Sequence, residues 1–352
     1  MRKKKRIAHL IIIPFAFVIL YIIFAAKPLT REYNLKADWT INTFDDQVSA
    51  VKGEDLVPFK FKNQLGYFSQ DGKIYSKYDF DYKACITENY WTSYSEDSAS
   101  FYVYGPDGKK VSCINEEGFP FLSQDRIYVL LPGGTSLAQF DLKGNELFLQ
   151  ESYSPLTAIS SSRGGTAAGY ADGSIKVFDS NGVLKMNFIP GGSSVNIIYG
   201  LALSDDGKYC AYITGLDRQR VEIALEEDGN PKILYTEYFD SDLTRQTFMK
   251  FNGNVLYYDY TDGLGIVNLK NCKSYKYEIP GLVKQLEFSG DSKVAFLLTK
   301  DKSEYTLTFL EPYNHFAGKL AFNAESAFIQ VRGNNVFLGR DGKISKLTLS
   351  RK

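Results

Sequence analysis

A short turn motif recurs about every forty residues along this chain, and each copy separates two runs of β-type residues. The clearest copy runs from Ala171 to Gly182, where the turns Asp172-Gly173 and Asn181-Gly182 flank one strand of alternating apolar and polar residues. Glycine accepts the positive φ that tight hairpins require, and Asp and Asn accept it better than most residues. Such a period, with several strands in each unit, is typical of a β-propeller. Further copies of the first turn lie near Asp71-Gly72, Asp97, Gly133-Gly134, Asp217, Asp262-Gly263, Asp301 and Asp341-Gly342.

The composition agrees with one large all-β domain. The 352 residues are 44% hydrophobic and 15% aromatic, and aromatic side chains favour pleated strands. The formal net charge of zero hides an asymmetry, because residues 1–26 hold five Lys or Arg and no Asp or Glu. Removing those five from the 41 basic residues leaves 36 against 41 acidic residues, a net charge of −5 for the rest of the chain. A mildly acidic body does not favour nucleic-acid binding.

Residues 7–26 form an uncharged apolar stretch directly after the basic residues 2–6. At about 1.5 Å per residue, a helix of this length spans the roughly 30 Å hydrocarbon core of a bilayer. We predict an uncleaved transmembrane signal anchor with the tail 1–6 in the cytoplasm, because basic residues stay on that side. The predicted localisation is the cell (inner) membrane, single-pass, with the propeller periplasmic or extracellular. A cleaved signal peptide is the alternative, although a cut after Ala26 would place bulky Phe24 at the −3 position.

Residues 57–352 are predicted to form the propeller domain, in eight consecutive four-stranded blades. Their bounds are about 57–87, 88–114, 119–150, 155–189, 196–236, 246–279, 282–322 and 326–349. The second of these blades is short, since its first turn at Asp97 lies only 26 residues after that of the first blade at Asp71. If residues 57–114 instead form one blade, the propeller has seven blades. The predicted fold is therefore all-β: a β-propeller of eight, alternatively seven, four-stranded blades, preceded by one N-terminal transmembrane helix.

The segment 27–56 is predicted to link the anchor to the propeller and to contain one strand, Tyr33–Asn42. Apolar residues alternate strictly with polar ones over this strand, at Tyr33, Leu35, Ala37, Trp39 and Ile41. The last blade ends after three strands, the third of them at Lys343–Leu349. We predict that Tyr33–Asn42 completes that blade, which closes the ring and removes strand edges that would otherwise be exposed.

Two known propeller families resemble these repeats. The segment Ala158–Asp179 looks like a WD40 repeat, with Phe178-Asp179 in place of the Trp-Asp pair, and Leu201–Tyr209 resembles the start of the second strand in the same family. Phe140–Gly144 and Phe178–Gly182 are also similar to the D-x-x-G step of quinoprotein-like (PQQ-type) propellers. The Gly-His pair of WD40 repeats and the docking tryptophan of quinoproteins are absent. The resemblance therefore implies the fold and a scaffold role rather than a cofactor; bacterial anchored propellers of this kind include outer-membrane assembly factors.

Residues that could carry chemistry are few. His9 lies in the predicted anchor, so a Ser-His-Asp triad or a histidine-based metal site would depend on His315 alone, in a turn. Arg163-Gly164-Gly165 leads into a strand and is interpreted as a turn rather than a phosphate cradle. The acidic pairs have no calcium-loop spacing and are interpreted as solvated turn residues; they are Asp79 and Asp81, Asp205 and Asp206, and Asp240 and Asp242. We predict no catalytic residue, no metal and no cofactor.

The four cysteines are scattered along the chain, at Cys85, Cys113, Cys210 and Cys272. No pair has the CxxC spacing of zinc ribbons or thioredoxin-like sites. Either one disulfide joins Cys85 and Cys113 across neighbouring strands, or all four are free residues of the core and the turns.

Two functions remain open. The first is a non-catalytic, membrane-tethered interaction scaffold with protein partners, and the runs Tyr257–Tyr260 and Tyr275–Tyr277 place tyrosines where they can serve an interface. The second is a quinoprotein-like or sugar-acting enzyme that uses the central funnel, since a pair of catalytic carboxylates is defined in space and not in sequence. Scarce histidine favours the scaffold, whose partners would be proteins and, through residues 7–26, the membrane.

Overall fold

The computed structural model describes residues 21, 33–45, 47–49, 55–95, 98–123, 126–261, 263–313 and 315–351. Over these residues the chain forms 31 β-strands in eight antiparallel sheets, which follow one another along the sequence as the blades of a propeller. Seven of the sheets have four strands and one has three among the described residues. The predicted count of eight blades is confirmed, and the alternative of seven is wrong.

Each blade takes consecutive strands, except that the last also takes the first strand of the chain. Blade 1 contains β2 (Val57–Lys60), β3 (Gln64–Phe68) and β4 (Ile74–Asp79). Blade 2 contains β5 (Lys83–Ile86), β6 (Trp91–Tyr94), β7 (Phe101–Tyr104) and β8 (Lys110–Ile114), and blade 3 contains β9 (Phe119–Ser123), β10 (Arg126–Leu130), β11 (Leu137–Phe140) and β12 (Glu146–Gln150). Blade 4 contains β13 (Leu156–Ser162), β14 (Gly165–Tyr170), β15 (Ile175–Asp179) and β16 (Leu184–Phe188).

Blades 5 to 8 continue the same order. Blade 5 contains β17 (Ile198–Leu203), β18 (Tyr209–Thr214), β19 (Arg220–Glu227) and β20 (Asn230–Tyr238), and blade 6 contains β21 (Met249–Asn252), β22 (Val255–Tyr260), β23 (Gly263–Asn268) and β24 (Lys273–Glu278). Blade 7 contains β25 (Leu282–Phe288), β26 (Ala295–Asp301), β27 (Glu304–Glu311) and β28 (His315–Asn323). Blade 8 contains β29 (Ala327–Arg332), β30 (Asn335–Arg340), β31 (Lys343–Arg351) and β1 (Tyr33–Asn42).

The boundary between the first two blades differs from the predicted ranges 57–87 and 88–114. Lys83–Ile86 pairs with Trp91–Tyr94 and is the first strand of blade 2, whereas the prediction made it the last strand of blade 1. The error has a physical cause: blade 1 has three strands in the described part of the chain, so the strand that follows β4 begins the next blade. This also explains why the second unit was too short.

The turn residues that set the period have defined roles in the hairpins. Gly173 has a φ of +87°, and a Cβ there would lie 2.1 Å from a backbone oxygen of the following connection, so only glycine fits. Asp179 Oδ1 accepts the backbone N–H groups of Asn181 and Val183, each at 2.9 Å. Asp141 makes the equivalent two bonds at 2.8 Å in blade 3. The D-x-x-G step is therefore a side-chain cap on the turn from the third to the fourth strand.

The hydrophobic core is divided among the interfaces between blades. The described residues form eight buried clusters, and each cluster joins two neighbouring blades. Ile127 and Val129 of blade 3, for example, pack with Phe101 and Val103 of blade 2. Burying a large apolar side chain contributes about 1.5–3 kcal/mol. One of the eight clusters joins blade 8 to blade 1, so the ring is closed by packing as well as by strand pairing.

The predicted closing strand is confirmed. β1 pairs antiparallel with β31, from Tyr33 opposite Arg351 to Asn42 opposite Lys343. The ring of Trp39 lies between the two ends of the propeller, with its centroid 6.2 Å from that of Phe68 in blade 1 and 5.9 Å from that of Phe337 in blade 8. A bulge follows Ala37 and leaves this residue exposed, so it departs from the apolar face that was predicted.

Successive turns of an antiparallel blade alternate between the two faces of the ring. The turns from first to second strand and from third to fourth strand lie on one face, which we call the mouth face. Neighbouring turns touch there: the Gly290 N–H of blade 7 donates to the Gly333 carbonyl of blade 8 at 3.0 Å. β1 also begins at the mouth face, because Tyr33 lies opposite Arg351, where β31 ends.

The predicted tail 1–6 and anchor 7–26 fall outside the described residues, apart from Tyr21. Within the part of the chain that the structure describes, no helix is both long enough and apolar enough to cross a membrane.

Candidate functional site

The central channel opens into a polar cavity of about 650 Å³, which we call the channel mouth. Five of the eight blades contribute to its wall, so no single repeat could form it. Two Arg and two Glu are among the side chains that line it. The lining residues are Pro58 of blade 1, Ile86, Thr87, Glu88 and Asn89 of blade 2, Arg163 of blade 4, Glu287 of blade 7, and Gln330 and Arg332 of blade 8.

Both carboxylates of the channel mouth are paired with cations. Arg332 Nη2 lies 2.7 Å from Glu88 Oε1, a contact that joins blade 8 to blade 2 across blade 1. Lys250 Nζ lies 3.5 Å from Glu287 Oε1 and donates a hydrogen bond to the Leu286 carbonyl at 2.8 Å. Exposed ion pairs contribute only about 0–1 kcal/mol, so these contacts position side chains more than they stabilise the ring.

Arg163 is the exception among the charged residues of the channel mouth. Its side chain is exposed, and its guanidinium has no hydrogen bond or ion pair with any described residue. Its backbone, in contrast, is held firmly: Arg126 of blade 3 donates to the carbonyl oxygens of Ser162 and Arg163. A Cβ on Gly164 would meet the next blade's backbone at 2.1 Å, so the turn is packed tightly. A guanidinium on a fixed turn is suited to bind a carboxylate.

A second polar cluster lies at the outer side of blades 5 and 6, around the carboxylate of Glu237. Lys276 Nζ is 2.8 Å from Glu237, and the hydroxyls of Tyr258 and Tyr235 donate to it. Burial acts to raise the pKa of Glu237, but hydrogen bonds from Lys276, Tyr235 and Tyr258 outweigh it and lower the pKa. Because all partners belong to these two blades, the cluster is a structural contact between them.

The tyrosines that the sequence suggested for an interface are mostly internal. Tyr257 and Tyr258 are fully buried, and Tyr260 and Tyr277 are half-buried. Tyr275 is exposed and is the member of the two runs that remains available for a partner. The alternation along β22 is overridden because both of its faces pack against neighbouring blades.

The other residues that the sequence singled out are turn and strand residues. His315 is the first residue of β28, and His9 lies outside the described part of the chain. Asp206 accepts hydrogen bonds from Ser204 and from the Lys208 backbone, which caps its own turn. Across the described ranges, His, Cys, Asp and Glu side chains form no group of three or more that could hold a metal ion.

All four cysteines are free thiols, so the alternative of a disulfide is wrong. Cys85 lies on β5 and Cys113 on β8, which are the first and the fourth strands of the same blade. Two strands of the sheet separate them, and a disulfide requires Cα atoms within about 7 Å.

Sequence reasoning missed the channel mouth. Glu88 and Arg332 are 244 positions apart, and Arg163 appeared only as part of a turn. A usable signal was present, however: Glu88, Arg163 and Arg332 all lie at or beside a turn from first to second strand, and these turns surround the channel in any propeller.

Comparisons with known proteins agree with this architecture. A family model described as β-propeller protein matches residues 1–351. An uncharacterized protein of Treponema pallidum (strain Nichols) is 25% identical over 362 residues, which cover 99% of this chain and 96% of that protein.

Two solved structures are similar in fold. BamB from Moraxella catarrhalis has a TM-score of 0.62 at 12% identity, over 90% of this chain and 100% of that one. A chain in the crystal structure of the mitotic checkpoint complex has a TM-score of 0.53 at 15% identity, over 92% of this chain and 94% of that one. At these identities the likeness shows the fold alone.

Proposed function

The chain belongs to a β-propeller protein family, and on that premise we propose that it is a non-catalytic, membrane-tethered scaffold that binds a protein partner outside the cytoplasm. The observation that carries this proposal is the Arg163 guanidinium. It is exposed at the channel mouth, on a turn that Arg126 holds in place, and no described residue neutralises it. Such a residue is suited to receive an acidic side chain of a partner.

The arrangement of the other charges supports a protein partner over a small molecule. The charged groups come from several blades and are spread around an open mouth, which matches the multi-blade contact that ring faces offer to macromolecules. One of the similar chains is a component of the mitotic checkpoint complex, which is an assembly of proteins.

The side-chain caps at Asp141 and Asp179 support the assignment of the repeats to the WD40-like and PQQ-like kind.

In this proposal the tether consists of residues 7–26, with the N-terminus in the cytoplasm. Six residues separate Ala26 from Tyr33, and seven Cα steps extend at most about 25 Å. The ten residues of β1 span about 34 Å from the mouth face to the opposite face. Because the tether joins β1 at the mouth face and is shorter than the ring is tall, the mouth face would be turned toward the membrane. The partner would then be a membrane protein or a protein bound near the bilayer.

The site is tested by reversing one charge on each face. Arg163→Glu lies at the channel mouth, and Arg340→Glu, the matched control, changes an exposed Arg at a turn of the opposite face. A partner recovered with the tagged protein from native membranes should bind the Arg163→Glu protein at least tenfold more weakly and the Arg340→Glu protein unchanged. Equal binding by both variants would refute the assignment, and so would a spectral change of the purified protein on adding a quinone cofactor with Ca²⁺.

The tether is tested separately. An enzyme reporter that works only outside the cytoplasm should be active when fused after Lys352, because the basic residues precede the apolar stretch. A reporter that is active only in the cytoplasm would reverse the orientation. A mature protein that begins after Ala26 by mass spectrometry would replace the tether with a cleaved signal peptide.

A further inference from the structure

A second cavity on the mouth face lies between blades 3 and 4 and has a volume of about 480 Å³. We call it the side groove. Arg163 lines both this groove and the channel mouth, so the two cavities meet at this residue. The turn that carries Arg163 joins the two inner strands of blade 4, whereas Lys143 and Leu147 belong to the turn and the outer strand at the rim of blade 3. The side groove therefore leads outward from the channel.

Three cations and one acid are among the described residues that line the side groove. The cations are Arg126, Lys143 and Arg163, and none of them forms an ion pair with a described residue. Arg126 donates its hydrogen bonds to uncharged groups, among them the carbonyl oxygens of Ser162 and Gly165. These contacts fix the guanidinium without neutralising its charge.

Asp141 is the acid of this set, and its carboxylate is occupied by the turn that it caps. Its Oδ1 accepts the backbone N–H groups of Lys143 and Asn145, each at 2.8 Å, and its Oδ2 accepts the side-chain amide of Asn145 at 2.9 Å. These bonds, that of the Asn145 side chain first, hold the pKa of Asp141 below its ordinary value. Three positive charges and one negative charge give the described lining a net charge of +2, which favours an anionic guest.

The wall of the side groove contains a buried donor without a partner. Gln139 is fully buried, and its Oε1 accepts a hydrogen bond from the Thr166 hydroxyl at 2.8 Å. Its Nε2 has no hydrogen-bond partner among the described residues. Buried donors in folded proteins are nearly always paired with a protein group, a water or a ligand. Because Gln139 lines the groove, a carbonyl or carboxylate oxygen of a guest is suited to accept this bond.

An apolar surface completes the lining. Leu147 exposes 39% of its surface, and Phe140 and Leu142 also line the groove. A free inorganic anion would use the cations alone, whereas a peptide segment uses the cations, the amide and the apolar surface together. A volume of about 480 Å³ is within the range of sites that enclose a drug-sized molecule, so the groove holds a short peptide segment.

We propose that the side groove binds a short acidic segment of the partner protein, which extends from the channel mouth to the outer rim. One carboxylate of the segment binds Arg163 and a second binds Lys143. An apolar side chain between them packs on Leu147, and a carbonyl oxygen accepts the Gln139 amide. The inference rests on the proposed function, because Arg163 belongs to both sites, and it adds the chemical class and the path of the segment.

The test is fluorescence anisotropy on the full chain in detergent micelles. The probe is a labelled, capped peptide with two aspartates on each side of one leucine, and it should bind saturably below millimolar concentration. A matched peptide with asparagine in place of every aspartate should bind at least tenfold more weakly. If free glutamate displaces the probe at equal concentration, the groove is a site for small anions and the proposal is wrong.

Charge reversal locates the bound peptide. Lys143→Glu and Arg163→Glu should each weaken binding at least tenfold. The matched control is Lys270→Glu, because exposed Lys270 has the same place in blade 6: its backbone N–H donates to the Asn268 side chain, as that of Lys143 donates to Asp141. This control should bind the peptide as the unchanged protein does. The cap uses only the backbone of Lys143, so Lys143→Glu should keep the melting temperature.

The outcomes separate this inference from the proposed function. If Arg163→Glu weakens peptide binding and Lys143→Glu does not, the side groove proposal is overturned while the channel mouth still receives an acidic group. Equal weakening by Lys143→Glu and Lys270→Glu would assign the binding to the overall charge of the ring and would overturn it too. Absence of saturable peptide binding would also refute the side groove, and the recovery of a partner from native membranes would still decide the proposed function.

Discussion

The closure of the ring by β1 can be tested through one side chain, that of Trp39. The ring of Trp39 contacts Phe68 of blade 1 and Phe337 of blade 8. It also packs against the turn at Gly72, so closely that a Cβ added to this glycine would lie 3.0 Å from the ring. Replacing Trp39 by Ala therefore removes the aromatic side chain of β1 from this interface, while the direct pairs Phe61–Phe328 and Phe68–Phe337 between the first and last blades remain. Its indole Nε1 has no hydrogen-bond partner among the described residues, so the substitution leaves no polar group unsatisfied.

The expected cost follows from the burial of this residue. Truncation of a fully buried Trp to Ala costs about 3–5 kcal/mol, and each aromatic pair adds about 0.5–1.5 kcal/mol beyond burial. Trp39 is only half-buried, and we therefore expect the free energy of unfolding to fall by about 2–3 kcal/mol. Lys36→Ala is the matched control, because Lys36 is an exposed residue of the same strand, and it should change stability by less than about 0.5 kcal/mol.

The assay is urea unfolding followed by tryptophan and tyrosine fluorescence, on a soluble form without residues 1–26. A lower midpoint with an unchanged slope would mean that stability alone has changed. If Trp39→Ala and Lys36→Ala unfold at the same urea concentration, β1 does not hold the ring closed and the packing argument is wrong.

Three further outcomes are expected. Deleting residues 27–45 should expose the edge of β31 and produce aggregates in size-exclusion chromatography, whereas deleting 1–26 alone should leave a monomer. Glu237→Gln should destabilise the protein at neutral pH; since folding lowers the pKa of Glu237 below its ordinary 4.5, the wild-type advantage should shrink in thermal melts as the pH falls below that value. His315→Ala should leave the melting temperature and partner binding unchanged, and loss of binding without loss of stability would require a search for catalysis.

The number of blades and the closure of the ring were predictable because both have local signatures. Glycine turns such as Gly173 are required by the backbone at each hairpin, so they mark the period wherever it occurs. β1 was predictable because its alternating face had no partner nearby in sequence and the final blade was one strand short. In both cases the signal lies within about ten residues of the feature it describes.

The strand order at blade 1 and the contacts inside the channel mouth could not be predicted, because both depend on pairings that no local pattern specifies. The four residues Lys83–Ile86 fit either neighbouring blade as a strand, and only the pairing with β6 decides between them. The contact between Glu88 and Arg332 depends on the curvature of the whole ring, which brings together residues 244 positions apart. No local pattern encodes that distance.

The pairing of β1 with β31 also sets an order of events during synthesis. The two strands are separated by about 300 residues, and a ribosome that adds about 5–20 residues per second needs roughly 15–60 s to pass from Asn42 to Arg351. Throughout that interval the first blade presents Phe59 and Phe68 without the cover that Phe337 and Ile344 later provide. The nascent chain therefore exposes this apolar surface for a defined interval, which ends only when the last strand has left the ribosome.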